Sequence, residues 1–490
     1  MKRLKLLLFL PFFCSTLLGA QTRIGWLQND LKTSPSFIND VIPFVNSDTG
    51  ELIIFIAAPK KVYTYKLDKD FKPVNKITSE NKKRKYKTLI GGSVKGTVYS
   101  LFLSNKNQKK FAFINFSFKN KTSTFKEFLL EKNDQFIQSF KYKGQFFMLA
   151  INTNSKSVLL YEYNAEDQVM VRNEIDTKNQ MLMNEYNEMK SIADMINSQE
   201  HTIKKFEKDT PNSIETASDL IKMYIRDHQI VLSFDENRKG TQVIFIDIDN
   251  KSITKKVFDK PLKNVKSIGK RSNSFIYDDK IALVAGNSKI FSMHILDFQS
   301  GKFIKEYAVN KDEKITFKNT PIIQNGGAYK SYREFEKTSK FLRKISAQNI
   351  GVSIIKNQGN YQFTIGGYSK QASGGAPMPM MGMGGVGGMA MGGIGGIPIA
   401  SSGGITFFFN PTMFSYNSFA GTKSTEIQCL FDDNFEHIKD VEAPENVFDK
   451  IEKHEMKNTS HETIFRYKDF FIKGAYNTSR KVYYLTKFTK

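Results

Sequence analysis

The feature that most constrains this chain is a recurring strand. Stretches in which apolar and polar residues alternate, each running into a turn residue, occur at Val62–Asp68, Phe111–Ser117, Val158–Asn164, Val243–Asp249, Phe291–Asp297, Glu426–Asp432 and Val482–Leu485. Alternation with a period of two marks a strand with one buried face. Successive starts lie 49, 47, 85, 48, 135 and 56 residues apart, so three spacings sit near one period and the two long ones read as a period plus an insertion. Most copies continue across a tight turn into another strand, as in Asp297–Tyr307, and follow an apolar strand such as Lys280–Gly286. A unit of this kind cannot bury its faces alone and must stack on its copies.

A period of about 40 to 50 residues holding three or four strands predicts an all-β fold, a β-propeller of about seven blades. At fold level the chain resembles exported β-propeller repeat proteins. It lacks the Gly-His and Trp-Asp signature of the cytoplasmic type and has a single Trp. The last copy leaves no room for an outermost strand, so the segment around Ile24 to Leu31 is expected to supply it and close the ring. The hairpin Gly351–Ile365 belongs to the sixth blade on this reading. A pair of β-sandwiches with the same number of strands is the structural alternative.

With 40% hydrophobic and 13% aromatic residues, the chain can build a large core, which excludes wholesale disorder. Its start reads as a secretory signal peptide over residues 1–20: Lys2, Arg3 and Lys5, then the apolar run Leu6 to Phe13, then Leu18-Gly19-Ala20 before Gln21. The propeller domain is then 21–490. Cys14 is not placed for lipidation, and no other run reaches the roughly 18 apolar residues of a membrane-spanning helix. One cysteine remains, Cys429, so no disulfide can form within the mature chain. Alternating with Ile427 and Phe431, it is expected to be a buried apolar thiol. The expected location is the periplasm, the outer membrane's vicinity or the cell surface.

Two insertions break the period. Across about 177–217, Leu182, Tyr186, Met189, Ala193 and Ile196 fall at helical spacing, which predicts an amphipathic helix lying on the propeller rim or offered to a partner. Across about 371–422 there is no charged residue, and Gly374 to Gly404 alone holds 13 Gly and 6 Met. So much Gly makes ordering costly, while so much Met and Phe makes exposure to water unfavourable. One reading is a tolerated low-complexity insertion. The other is insertion into a partner, for which Met380, Met381, Met383, Met389, Met391, Phe407, Phe408, Phe409, Met413 and Phe414 are the candidate contact residues. A membrane interface is disfavoured by the missing charges. The Met-x-Met pairs suit Cu(I), yet no His or Cys stands nearby in sequence, and no cofactor is expected.

Enzyme motifs are missing: no Gly-x-Ser-x-Gly, no His-Glu-x-x-His, no Cys-x-x-Cys and no phosphate-cradling Gly-Lys-Ser/Thr loop. His454 and His461 read as loop residues. Asp247-Ile-Asp249-Asn250 lacks the Gly and terminal Glu of a calcium loop and reads as a strand end and turn. The net charge is +23, carried overwhelmingly by Lys, with only 11 Arg. Lys82, Lys83, Arg84 and Lys85, with Lys87, form the densest cluster. In an exported chain it points to an anionic surface or an acidic partner rather than nucleic acid, or simply to a solvated loop.

The function expected from these features is that of a non-catalytic exported binding or scaffold protein of the bacterial envelope, docking on a membrane-protein assembly. The signal peptide, the size and the stretch Gln371 to Thr422 resemble those of a plug-like component of the type IX secretion translocon, which implies capping or plugging of an outer-membrane channel. The alternative is a propeller hydrolase or lyase acting on an envelope polysaccharide or peptide, with acids converging on the central tunnel. No catalytic, cofactor-binding or metal-binding residue is assigned.

Overall fold

The computed structural model describes residues 21–28, 38–370 and 422–489, apart from 47–48, 80, 198–202, 266–268, 327–331, 455, 457 and 478. The expected signal peptide and all ten candidate contact residues of the Gly/Met-rich insertion lie outside the described residues.

Among the described residues, seven antiparallel sheets of four or five strands follow one another. The first holds β2 (Asp40–Val45), β3 (Leu52–Ala57), β4 (Val62–Leu67) and β5 (Pro73–Thr78). The second holds β6 (Tyr86–Lys95), β7 (Val98–Asn105), β8 (Phe111–Ser117) and β9 (Thr122–Phe128), and the third β10 (Asp134–Tyr142), β11 (Gln145–Asn152), β12 (Val158–Asn164) and β13 (Val169–Ile175). The fourth holds β17 (Ile221–Arg226), β18 (Gln229–Phe234), β19 (Gly240–Asp247) and β20 (Ile253–Asp259), with the short β16 (Lys204–Phe206) parallel to β17. The fifth holds β21 (Arg271–Tyr277), β22 (Lys280–Gly286), β23 (Ile290–Asp297) and β24 (Phe303–Asn310). The first strand of one sheet packs beside that of the next, as β2 does with β6 and β6 with β10, so the first strands face a common axis. This is an all-β propeller.

Burial changes from strand to strand. Second strands such as β3, Leu-Ile-Ile-Phe-Ile-Ala, are buried along their whole length, whereas fourth strands such as β9 and β13 alternate between exposed and half-buried residues. Each of the seven strands singled out in the sequence is the third of its sheet: β4, β8, β12, β19, β23, β29 and β32.

The last two sheets are assembled out of chain order. In the sixth, β27 (Asn349–Asn357), β28 (Asn360–Lys370) and β29 (Thr422–Phe431) are completed by β25 (Ile322–Gly326) and β26 (Arg333–Phe335), which come earlier in the chain. In the seventh, β30 (Thr459–Tyr467), β31 (Phe470–Asn477) and β32 (Val482–Phe488) are completed by β1 (Gln21–Gln28). The closing strand sits three residues earlier than the segment the sequence suggested. Leu27 pairs with Tyr483 and is fully buried in the core shared by the seventh and first sheets.

The 177–217 insertion carries helices, but not the predicted stripe. Leu182 and Met189 lie on a two-stranded hairpin, β14 (Met181–Met183) and β15 (Met189–Ser191), with Tyr186 in its turn. Only Ala193 and Ile196 fall on a helix, α1 (Ile192–Asn197), and a second short helix, α2 (Ile214–Ala217), follows. The turn Asn184 to Glu188 explains the difference. Asn184 Oδ1 accepts the backbone N–H of Tyr186 and of Glu188, a local bond that competes with helix. Leu182, Ile192 and Ile196 are buried between the third and fourth sheets.

Candidate functional site

The rest of the insertion runs through the space enclosed by the first strands. Ile203 carbonyl accepts from Gln138 Nε2 of β10 at 2.9 Å, and Phe206 packs on Tyr224 of β17 and Phe275 of β21. Asp209 then holds Tyr277 Oη of β21 at 3.0 Å and Arg466 Nη1 of β30 at 2.9 Å. The chain turns back through α2, and Ser218 carbonyl accepts from Asn273 Nδ2 of β21 at 2.9 Å. Residues 203–218 therefore touch the first strands of the third, fourth, fifth and seventh sheets. Against the sixth they rest on Gly351, where an added Cβ would stand 2.9 Å from Ser218 N and Cα.

The ring is not sealed evenly. Apolar clusters join the seventh sheet to the first, the first to the second, the second to the third, the third to the fourth, and the fourth through the fifth to the sixth. Among the described residues no such cluster joins the sixth to the seventh. Instead α4 (Val447–Lys453) lays Val447, Phe448 and Ile451 on the seventh sheet's Ile464, Phe471 and Phe488. The face of the sixth sheet turned to this gap is polar, while its other face puts Val352, Ile354, Phe363, Ile365, Ile427 and Cys429 into the core.

Strand register sets that polar face. Ser353 on β27 lies opposite Thr364 on β28, which lies opposite Gln428 on β29, a cross-strand row of hydroxyl, hydroxyl and carboxamide. Together with Asn325 on β25, Pro211–Glu215 beside α2, and Asn446 and Asp449 at the start of α4, the row lines a cleft of about 200 Å³. Glu215, Glu426 and Asp449 are among its walls, and among the described residues no Lys, Arg or His is. Ser353 is only 4% exposed, and its hydroxyl has no hydrogen-bond partner among the described residues. The alternation Gln362-Phe-Thr-Ile365 already carried this row in the sequence. The signal was a polar alternate face on inner strands, where neighbouring sheets normally demand apolar side chains.

A buried charge cluster fastens the fourth sheet to the fifth. Asp235 receives Thr241 Oγ1 at 2.6 Å and Ser274 Oγ at 2.8 Å, and both Lys222 and Lys260 approach it. Burial alone would raise its carboxyl, but the two ammonium groups outweigh it and hold Asp235 at about 2. Burial lowers Lys260 to about 8 despite Asp235. Every polar atom named here is partnered, so the cluster is a fastening rather than a reactive centre. At the inner edge of the first sheet, Asp40 accepts Val41 N–H at 2.9 Å and Leu89 N–H at 3.2 Å, yet desolvation carries its carboxyl up to about 7.

The basic cluster is partly consumed by the fold. Lys82 is buried and donates to Ala58 and Pro59 carbonyls, with burial lowering its ammonium to about 8. Lys83 and Lys85 both pair with Glu127, leaving Arg84 and Lys87 as its exposed cations without a carboxylate partner among the described residues. Cys429 is fully buried and its thiol is pushed far up by desolvation, as expected of an apolar core residue. Asp247 closes β19 and accepts Asn250 N–H at 2.7 Å in the following turn. His454 follows α4, while His461 sits in a bulge of β30 rather than in a loop.

No protein-family model and no curated protein matches the chain. Among solved structures it is similar to the Dos1 propeller, with 10% identity over 69% of each chain and a TM-score of 0.29. It is also similar to the β-propeller domain of the Trilobed protease from Pyrococcus furiosus, with 13% identity, 57% of this chain, 78% of that one and a TM-score of 0.23. A third is dihydro-heme d1 dehydrogenase NirN, at 11% identity over 53% of this chain and a TM-score of 0.27. There the chain spans only 45% of the length of its match.

Proposed function

We propose that this chain is a non-catalytic exported binding protein that docks on a membrane-protein assembly of the bacterial envelope, with residues 371–421 as the docking element that caps or plugs a channel. One observation carries the reading. The uncharged, Met- and Phe-rich insertion joins two strands that stay paired to their last residues, Lys370 against Thr422. The ladder between β28 and β29 is thus complete without any residue of the insertion. A segment so rich in Met and Phe is suited to an apolar surface. The hydrolase or lyase alternative needs acids open to the axis, and residues 203–218 occupy that space.

The test is a mild-detergent pull-down of the tagged chain from its native envelope. A stoichiometric outer-membrane protein should accompany the full chain and be lost on deletion of Gly374 to Gly404, while circular dichroism and melting stay unchanged. Retention of the partner by the deletion variant rejects the reading.

A further inference from the structure

We infer that the cleft between the sixth sheet and the helices α2 and α4 is a binding site for a neutral, polyhydroxylated ligand, one sugar unit of an uncharged glycan. The inference is independent of the docking role of residues 371–421.

Three observations lead there. First, the row Ser353, Thr364, Gln428 replaces apolar packing at the one sheet junction that lacks a shared core among the described residues. An apolar row would bury further surface at roughly 25 cal/mol per Å², so the polar row forgoes stability. Second, Ser353 lines the cleft, and its hydroxyl makes no hydrogen bond to a described residue, which leaves it open to solvent or to a ligand hydroxyl. Third, the described lining disfavours anionic ligands. In a chain of net charge +23, the sixteen described lining residues include three carboxylates and no cation, which repels phosphates, nucleotides and acidic sugars.

What the walls do offer matches a sugar ring. Hydroxyls and carboxamides both donate and accept, as ring hydroxyls do, and Ile355, Ile323 and the exposed Tyr332 supply apolar surface for its C–H face. The cleft volume of about 200 Å³ lies below the range of drug-sized pockets, which suits one ring of a chain rather than a large compact molecule.

The experiment is saturation-transfer NMR and titration calorimetry on the full chain, with maltohexaose, cellohexaose and chitohexaose as neutral probes and hexalysine as a cationic one. Saturation transfer to at least one neutral hexaose is expected. Its affinity should fall about tenfold in Ser353→Ala and in Gln428→Leu, each removing hydrogen bonds to the ligand. Ser353→Ala removes one oxygen from a side chain that bonds no described residue, so its fold should survive, and far-ultraviolet circular dichroism verifies that. Binding of no neutral probe, binding that both variants leave untouched, or binding of hexalysine alone would each overturn the inference.

Discussion

Lys222 on β17 and Asp235 at the end of β18 meet with both side chains fully buried, Nζ 3.0 Å from Oδ2, and Lys222 Nζ also donates to Asn273 of the fifth sheet. Asn273 passes the link on, donating at 2.9 Å to Ser218 of the axial segment and to Ile350 of the sixth sheet. One carboxylate thus anchors contacts among three sheets and the segment that fills the axis. Asp235→Asn leaves Lys222 and Lys260 buried without a counter-charge and is expected to cost about 3–5 kcal/mol. Lys222→Met keeps Asp235 with Lys260, Thr241 and Ser274 and should cost less. Urea unfolding of the two variants checks the order.

Asp40 predicts a pH dependence of opposite sign to that of Asp235. Its carboxyl is raised from 3.8 to about 7 on folding, so between those values the folded state holds the extra proton and stability falls as pH rises. Asp235 is lowered to about 2, so its contribution is present above 3.8 and is lost as pH falls toward 2. Asp40→Asn should therefore be more stable than the parent at pH 7.5 and gain little at pH 4. Denaturant midpoints at the two values decide it.

Two adjacent residues of the closing strand test its register. Leu27 is fully buried, and Leu27→Ala should cost about 2–5 kcal/mol. Trp26 is 62% exposed, and Trp26→Ala should change stability by no more than about 0.5 kcal/mol. Equal losses in thermal melting would mean that Leu27 and Trp26 do not divide between core and solvent.

Gly351 tests the packing of the axial segment. An added Cβ would stand 2.9 Å from the backbone of Ser218 and 3.1 Å from Ala217 C, so Gly351→Ala must push α2 off the sixth sheet. A loss of about 1–3 kcal/mol is expected, with faster limited proteolysis between residues 203 and 218.

Third strands such as β12 and β19 were legible because one face is wholly buried and the other mixed, and that contrast is what alternation records. Second strands such as Leu52–Ala57 are buried on both faces and give only a short apolar run, which could equally be helix. The insertion misled because Leu182, Ala193 and Ile196 are apolar for a helix-like reason, burial against the third and fourth sheets, while Asn184 bends the chain between them. The cleft was partly visible in Gln362 and Thr364, but its walls come from β25, α2 and α4, far apart in the chain. Nothing in local pattern tells that the seventh sheet leaves that face to a helix.

Gln21–Gln28 and Val482–Phe488 are hydrogen-bonded neighbours although almost the whole chain separates them. During synthesis the first strand of the domain must therefore wait for the last, for on the order of a minute at ordinary elongation rates. Over that interval both rims of the unfinished ring present bare strand edges, open to pairing with any extended chain. The seam that completes the fold is thus also its longest exposure, and a nascent chain of this protein depends on whatever keeps β1 unoccupied until Phe488 has been made.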